Sequence, residues 1–329
     1  MDTATHFAMG IGLFGLAHLD PILSSQPETA QAILVGTVLG SQAPDFDGLS
    51  RIRGNSSYIR NHRGITHSLP MLLIWPILLT GGISLFFKDI SILHLFFWTA
   101  IAVGIHIFID LFNSYGTQVL RPFSERWIHW DILNIFDPVI FGLHLIGFIL
   151  WWLTPFSPGP LFALIYLILC FYLLWRLWTH HYLRQWAQKK VGAVGTYHLF
   201  PTFHLNTWNL IVKEKERTRI GIIEKGTIQW KDELPHRYHN HPAVQSTINH
   251  PTIRSFLYFT DHEYVRVFPR HFGYEVRWID VRFYYRDHFA LMAVAWIDAH
   301  HRILDTHIGW TSPHKLEKIS QSFSSPINH

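Results

Sequence analysis

Charge is what this sequence has least of. Only 15% of its 329 residues are Asp, Glu, Lys or Arg, against roughly a quarter in a soluble domain, and the shortage is uneven. Residues 1–179 carry 8 of the 27 Lys/Arg and 10 of the 23 Asp/Glu. The remainder has the composition of ordinary soluble protein, so a wholly soluble single domain, a disordered chain, a collagen and a coiled coil are all excluded. Cysteine is nearly absent, and Cys170 alone excludes an intramolecular disulfide framework. A strongly basic surface is lacking too. The formal net charge of +4 divides into about −2 before residue 180 and about +6 after it. That balance is too mild and scattered to imply a nucleic-acid partner. Met1-Asp2-Thr3-Ala4-Thr5 has no basic residue, so a cleaved signal peptide is not expected.

What the sequence does contain is long apolar runs. Leu69–Phe87 and Ile90–Ile109 are uncharged, and so is Pro138–Trp175, which is interrupted by the Pro- and Gly-rich stretch 154–160. A bilayer core takes about 20 apolar residues per helix. The runs therefore predict four transmembrane helices, at about 69–87, 91–110, 133–153 and 160–178. The competing reading is a set of buried helices in a large soluble core, which such paired uncharged runs with short turns make hard to build. Leu16–Ala32, broken by Asp20, Pro21 and Pro27, does not read as a span. Arg51, Arg53, Arg60 and Arg63 precede the first span, Arg121 and Arg126 lie between the second and third, and Arg176, Arg184, Lys189 and Lys190 follow the fourth. Basic loops mark the cytoplasmic side. The expectation is a multi-pass protein of the cell (inner or plasma) membrane with both termini cytoplasmic and membrane lipids as its surroundings.

Beyond Gln185 the pattern turns to strands. Trp208–Val212 and Arg219–Trp230 read as paired strands around a turn at Lys225-Gly226, with further strands at Ile253–Phe259, Glu263–Phe268, Tyr274–Tyr285 and Ala290–Ile297. This half holds 16 of the 24 histidines. Pairs such as His239/His241 and His300/His301 lack carboxylates at ligand spacing. The expected fold class is a mainly α integral membrane bundle of about four transmembrane helices, residues 1–179, followed by a strand-rich α+β or β cytoplasmic domain, residues 180–329.

Ionisable groups in or beside membrane spans are costly and point to function by default. His106 and Asp110, at i and i+4, share one helix face one turn apart. They can chelate one ion, or simply hydrogen-bond and stabilise the helix end. The topology brings other groups to the same membrane face: His67 in Asn61-His62-Arg63-Gly64-Ile65-Thr66-His67-Ser68, Asp45 and Asp47 after the apolar helix 29–40, His6 near the N-terminus, and Asp131 and Asp137 before the third span. Imidazoles and carboxylates without thiolate favour Zn, Mn or Fe over Mg, and Asp110 has oxygens enough to bridge two ions. Asp47 reads as a ligand, an orienting carboxylate or a loop cap. His62 reads as part of the site or as a loop residue, and Arg63 as a bidentate donor to a substrate phosphate or a positive-inside anchor. Asn113 and Ser114 either support Asp110 or end its helix. His94 and His144 read as packing or interfacial groups.

Residues 1–150 resemble the YdjM-type inner-membrane metal-dependent hydrolases. The segments that carry the likeness are Thr5-His6, Pro44-Asp45-Phe46-Asp47, His62–Ser68 and His106–Asp110, followed by Gly116 and Arg121-Pro122-Phe123. The whole chain resembles the bacillar members, which have a long C-terminal extension. A more distant similarity is to zinc-dependent phospholipase C and P1-type nucleases, whose ligand order is His, Asp, His, then His-x-x-x-Asp. That likeness implies Asp45, His67 and His106 on one ion, His6 on another and Asp110 between them. The further His-x-x-x-Glu pair has no match after His106, so one or two ions are implied rather than three.

These readings converge on a membrane-bound metal-dependent hydrolase that uses a metal-activated water on a phosphoester or other ester of a lipid-like substrate. The expected metal ligands are His6, Asp45, His67, His106 and Asp110. Asp47, as general base, His62 and Arg63 are the expected catalytic groups, and Zn, with Mn or Fe as alternatives, is the expected cofactor. The competing reading is a metal-stabilised membrane anchor or sensor that presents a cytoplasmic partner-binding domain.

Overall fold

The computed structural model describes residues 1–285 and 287–323. The chain forms two compact units. Met1–Gly48, His62–Leu183 and Pro201–Leu205 make a helical unit, and Leu49–Asn61, Arg184–Phe200 and Asn206–His329 make a strand-rich one.

The helical unit begins with α1 (Thr3–Ala17), the short α2 (Ile22–Ser25) and α3 (Pro27–Gly40). The connection that follows contains the 3-10 segment Ala43–Arg53 and α4 (Asn55–Asn61), a helix of the strand-rich unit. A second 3-10 turn, Ile65–His67, leads into α5 (Met71–Ser84), α6 (Ile92–Asp110), α7 (Pro138–Leu153) and α8 (Pro158–Val191). Two of these, α6 and α8, are long and apolar enough to cross a membrane, and a third crossing exists if Asn55–His67 and α5, bent by 82°, count as one broken span. The four predicted spans thus resolve into two or three. The helix near 69–87 is only 14 residues long with Pro76 inside it, and that near 133–153 starts at Pro138 and has 16 residues.

The sequence reading missed that α1 and α3 are part of the apolar bundle. They pack on each other, α3 lies along α5 and α6, and α1 also touches α6 and α7. Glycine permits the closeness: a Cβ at Gly36 would stand 2.4 Å from Thr99 Oγ1, and one at Gly40 would stand 3.0 Å from the Thr99 carbonyl. Small residues at this i, i+4 spacing are how apolar helices without a hydrophobic driving force reach contact. At one end of the bundle Asp20 accepts from His94 Nδ1 (2.6 Å) and Trp98 Nε1 (3.1 Å), tying the end of α1 to the start of α6. The start of α1 and the ends of α3 and α6 gather at the other end, where the candidate site lies.

The strand-rich unit comprises β1 (Thr196–Pro201), β2 (Trp208–Lys213), β3 (Arg217–Glu224), β4 (Thr227–Pro235), α9 (Pro242–Gln245), α10 (Pro251–Phe259), β5 (Glu263–Arg270), β6 (Gly273–Asp280), β7 (Tyr284–Tyr285), β8 (His288–Phe289), β9 (Leu291–Asp298), β10 (Ile303–Trp310) and α11 (Pro313–Ser322). Two four-stranded sheets, in the orders β1-β2-β3-β4 and β10-β9-β6-β5, and a short β7-β8 hairpin result. Phe200, Ile211, Ile220 and Leu234 from the first sheet share a core with Tyr264, Ile279, Met292, Val294 and Trp296 from the second. Lys225 and Gly226 turn β3 into β4 with positive φ at both positions, the geometry a two-residue hairpin needs.

One predicted strand is a helix. Ile253–Phe259 lies in α10, where His250 Nδ1 accepts from the Thr252 amide, Pro251 fills the first turn, and Ile253, Phe256 and Phe259 bury one face. A cap followed by Pro also starts α7 (Asp137-Pro138), α9 (His241-Pro242) and α11 (Ser312-Pro313). Pro at the first helical position lacks only an N–H that would be unsatisfied anyway.

Candidate metal centre

The candidate centre is assembled from chain segments whose local conformations aim side chains inward. His106 and Asp110 lie on the last turn of α6, both buried, and Asp45 stands in the 3-10 segment just after α3. His67 ends the 3-10 turn before α5, and His6 is on the first turns of α1, which Asp2 caps by accepting from the Thr5 amide at 3.0 Å.

Ligand atoms of Asp45, His67, His106 and Asp110 all lie within 4.8 Å of one another. His67 Nε2 stands 3.3 Å from His106 Nε2, 3.4 Å from Asp110 Oδ2 and 3.6 Å from Asp45 Oδ1. His106 Nε2 is 3.7 Å from both Asp45 Oδ1 and Asp110 Oδ2. Donor atoms bound about 2.0–2.2 Å from a shared zinc ion stand about 3.3–3.6 Å apart on a tetrahedron. The three His67 separations fall in that range, the two from His106 lie just beyond it, and all exceed ordinary hydrogen bonds. Asp45 Oδ1 and Asp110 Oδ2 are buried without a hydrogen-bond partner among the described residues, and the charge of Asp110 Oδ2 is balanced by the Arg63 guanidinium 3.2 Å away.

The outer nitrogens of the imidazoles are committed. His106 Nδ1 donates to the Ser41 carbonyl at 2.6 Å, leaving Nε2 with its lone pair turned to the centre. His67 Nδ1 lies 3.1 Å from Thr66 Oγ1, whose hydroxyl donates to Asp47 Oδ2 at 2.5 Å. The hydroxyl therefore accepts from His67, and Nε2 again faces inward. Such outer partners fix tautomer and ring orientation in metal sites.

Asp110 faces two ways. Its Oδ2 points to the four-residue group, while Oδ1 lies 3.3 Å from His6 Nε2 and also pairs with the Met1 amine. The His6 ring stacks on His106 at 3.7 Å. This donor set fits one divalent ion among Asp45, His67, His106 and Asp110, and leaves His6 beside the outer oxygen of the shared carboxylate.

Residues 1–183 match the family described as YdjM inner membrane protein. The chain belongs to the YdjM family. Its residues 242–320 match the YfhP C-terminal alpha/beta plait domain. Over 327 residues the chain is 36% identical to a Bacillus subtilis (strain 168) protein described as uncharacterized protein YfhP, covering 97% of this chain and 98% of that one. No solved structure matches. With its apolar helices, this YdjM-family chain is a membrane protein.

Within the YdjM-family region the remaining expected site residues take different places. Asp47 is not a free base: Oδ1 accepts from His62 Nδ1 at 2.6 Å, and Oδ2 accepts from the Arg63 amide at 2.7 Å and from Thr66. His62 is partly exposed, and Asp45, Asp47 and His62 form a second group of possible ligands within the same 4.8 Å limit. Arg63 reads from the sequence as a donor to a substrate phosphate or as a positive-inside anchor. Instead it is 3% exposed with φ +62°, donates to Asn113 Oδ1 (2.8 Å) and the Met1 carbonyl (3.1 Å), and lies 3.2 Å from Asp110 Oδ2. Asn113 Nδ2 in turn donates to Asp110 Oδ1 at 3.2 Å. Asp131 pairs with His129, and Asp137 caps α7 and accepts from Tyr172, so neither reaches the group. The Ser41 carbonyl and the Met1 amine left no signal in the residue pattern. Thr66 did, through its place beside His67.

Proposed function

We propose that this protein is an integral-membrane, metal-dependent hydrolase acting on a phosphoester or other ester of a lipid-like substrate, with its site on the cytoplasmic face. One observation carries the reading: three buried ligand groups and the half-buried Asp45 stand close to tetrahedral-edge separations, with both imidazoles held in the tautomer that turns Nε2 inward. Asp45, His67, His106 and Asp110 would hold Zn, Mn or Fe, and a second ion between His6 and the outer Asp110 oxygen would have to displace the Met1 amine that pairs with that oxygen. A divalent ion there lowers the pKa of a water and stabilises charge developing on a phosphoryl or acyl oxygen.

The chain's own groups supply the rest. His62 is the proton acceptor, since it is partly open to solvent and Asp47 holds its Nδ1. Asp47 is thereby a positioning residue for both His62 and His67. Arg63 and Asn113 fix the Asp110 carboxylate. The catalytic role expected of Arg63 becomes a positioning role.

Elemental analysis of detergent-purified protein, wild type beside Asp110→Ala, tests the reading. The expected result is one to two Zn, Mn or Fe per chain in wild type and loss in the variant, with His106→Ala behaving alike and both variants still inserted in the membrane. A screen of phosphoesters and lipids follows from that result. Wild type that stays metal-free after reconstitution with each ion overturns it.

A further inference from the structure

The loops that carry the candidate ligands have a second face. Asp45 and Asp47 turn inward while Phe46 between them is 48% exposed; Thr66 and His67 turn inward while Ile65 beside them is 65% exposed. Phe46 packs edge-on against Trp75 of α5 at 5.8 Å, and Trp75 Nε1 donates to the Thr66 carbonyl at 3.1 Å. Leu69 is exposed and its amide donates to Val119 at 2.9 Å, which brings Leu120 and the 86% exposed Phe123 alongside. This surface continues directly into the exposed apolar side of α5, formed by Leu73, Ile74, Ile77 and Leu78. A soluble loop around a polar site normally presents polar residues outward, and a contiguous exposed apolar patch marks an interaction surface.

We propose that these loops are seated in the phospholipid bilayer, with Phe46, Ile65, Leu69 and Phe123 against the upper acyl chains and the candidate centre at the depth of the lipid phosphates. The occupant follows from continuity. The α5 side chains Ile74, Ile77 and Leu78 face outward on the same helix whose Trp75 anchors Phe46, so whatever covers that side of α5 meets the loop face without a step. Aromatic and aliphatic side chains next to Arg121 and Arg126 are also the residue mix that settles at a membrane–water interface. Hydrolysis of a lipid headgroup linkage rests on the reading of the preceding subsection, whereas the depth of the loops does not.

The test uses full-length protein in phospholipid nanodiscs, in a Cys170→Ser background, with nitroxide labels on Phe46→Cys, Ile65→Cys and Phe123→Cys. Ile77→Cys serves as the bilayer reference and Thr227→Cys as the water reference. The readout is the ratio of collision with oxygen to collision with a water-soluble nickel chelate. The expected result is a ratio several-fold above that of Thr227→Cys and approaching that of Ile77→Cys at all three positions. Ratios equal to that of Thr227→Cys overturn the proposal. If one variant does not fold, Leu69→Cys or Leu120→Cys reports on the same face. Metal content is measured on the same samples. Metal-free protein with lipid-like ratios sinks the hydrolase reading alone, and metal-loaded protein with water-like ratios sinks the seating alone.

Discussion

At the residue scale, the candidate centre depends on groups that never touch an ion as much as on those that would. Asp47 is the clearest case: one carboxylate holds His62, Thr66 and the backbone of Arg63, and through Thr66 it sets the His67 tautomer. Losing an outer partner of this kind typically costs about 10–100-fold in metal affinity. Thr66→Val, which keeps the shape and removes the hydroxyl, is therefore expected to weaken zinc binding by about that factor in a competition titration against a chelator, without changing helix content by circular dichroism. Asp110→Asn is expected to abolish binding instead, because it removes the charge and one oxygen of the carboxylate that faces both sides of the site. Equal affinity in Thr66→Val and wild type would show that His67 is oriented by packing alone.

At the element scale, the outcome depends on how α3 meets α6. His106 is oriented by the Ser41 carbonyl, and Ser41 follows directly on Gly40, whose missing side chain lets α3 press on Thr99 and Ala102. Gly36→Val forces atoms into space that Thr99 occupies, and such overpacking costs about 1–3 kcal/mol. The expected result is a lower melting temperature in detergent together with reduced metal content, since spreading the helices draws Ser41 away from His106. A melting shift without metal loss would show that the centre tolerates displacement of α3. This pairing was not legible in the sequence. Asp20, Pro21 and Pro27 cut the apolar run 16–32, and α1 and α3 are each too short to announce a crossing, so residues 29–40 read as a short apolar helix beside the membrane and the start of the chain as an apolar stretch, neither as a member of the bundle. The α6 helix was legible because 20 uncharged residues end in His-x-x-x-Asp. The α10 helix was not, because Ile253–Phe259 is short and apolar enough to suit a strand, and only the His250-Pro251 start separates the two readings. Of the candidate site, the side-chain ligands could be proposed from residue type and spacing. The Ser41 carbonyl and the Met1 amine could not, since backbone groups carry no residue signature.

At the scale of the whole molecule, the segment 49–61 between Asp47 and His62 belongs to the strand-rich unit. The chain leaves the helical unit after Gly48, just past Asp47, and returns at His62. The excursion contains α4, which packs on α10 and β10: Asn55 Nδ2 donates to the Ile308 carbonyl at 3.3 Å, and the Arg60 guanidinium lies 5.4 Å from the Tyr258 ring centre. Both ends of this excursion are therefore site residues, while its middle is held by the YfhP-type part of the chain. A helix of seven residues has little stability of its own, so α4 keeps its place through these contacts. Loosening them gives the ends of the excursion more conformations to lose when Asp47 and His62 meet. The double variant Asn55→Ala/Tyr258→Ala is accordingly expected to bind zinc several-fold more weakly than wild type while both units keep their secondary structure. The sign is fixed by chain entropy: the ordering now done by α10 and β10 would have to be done by the binding event. The measurement is the same chelator competition, run on full-length protein in detergent. Unchanged affinity would mean that the Asp47–His62 bond and the Arg63 amide hold the loop ends by themselves, and that the strand-rich unit leaves the centre alone.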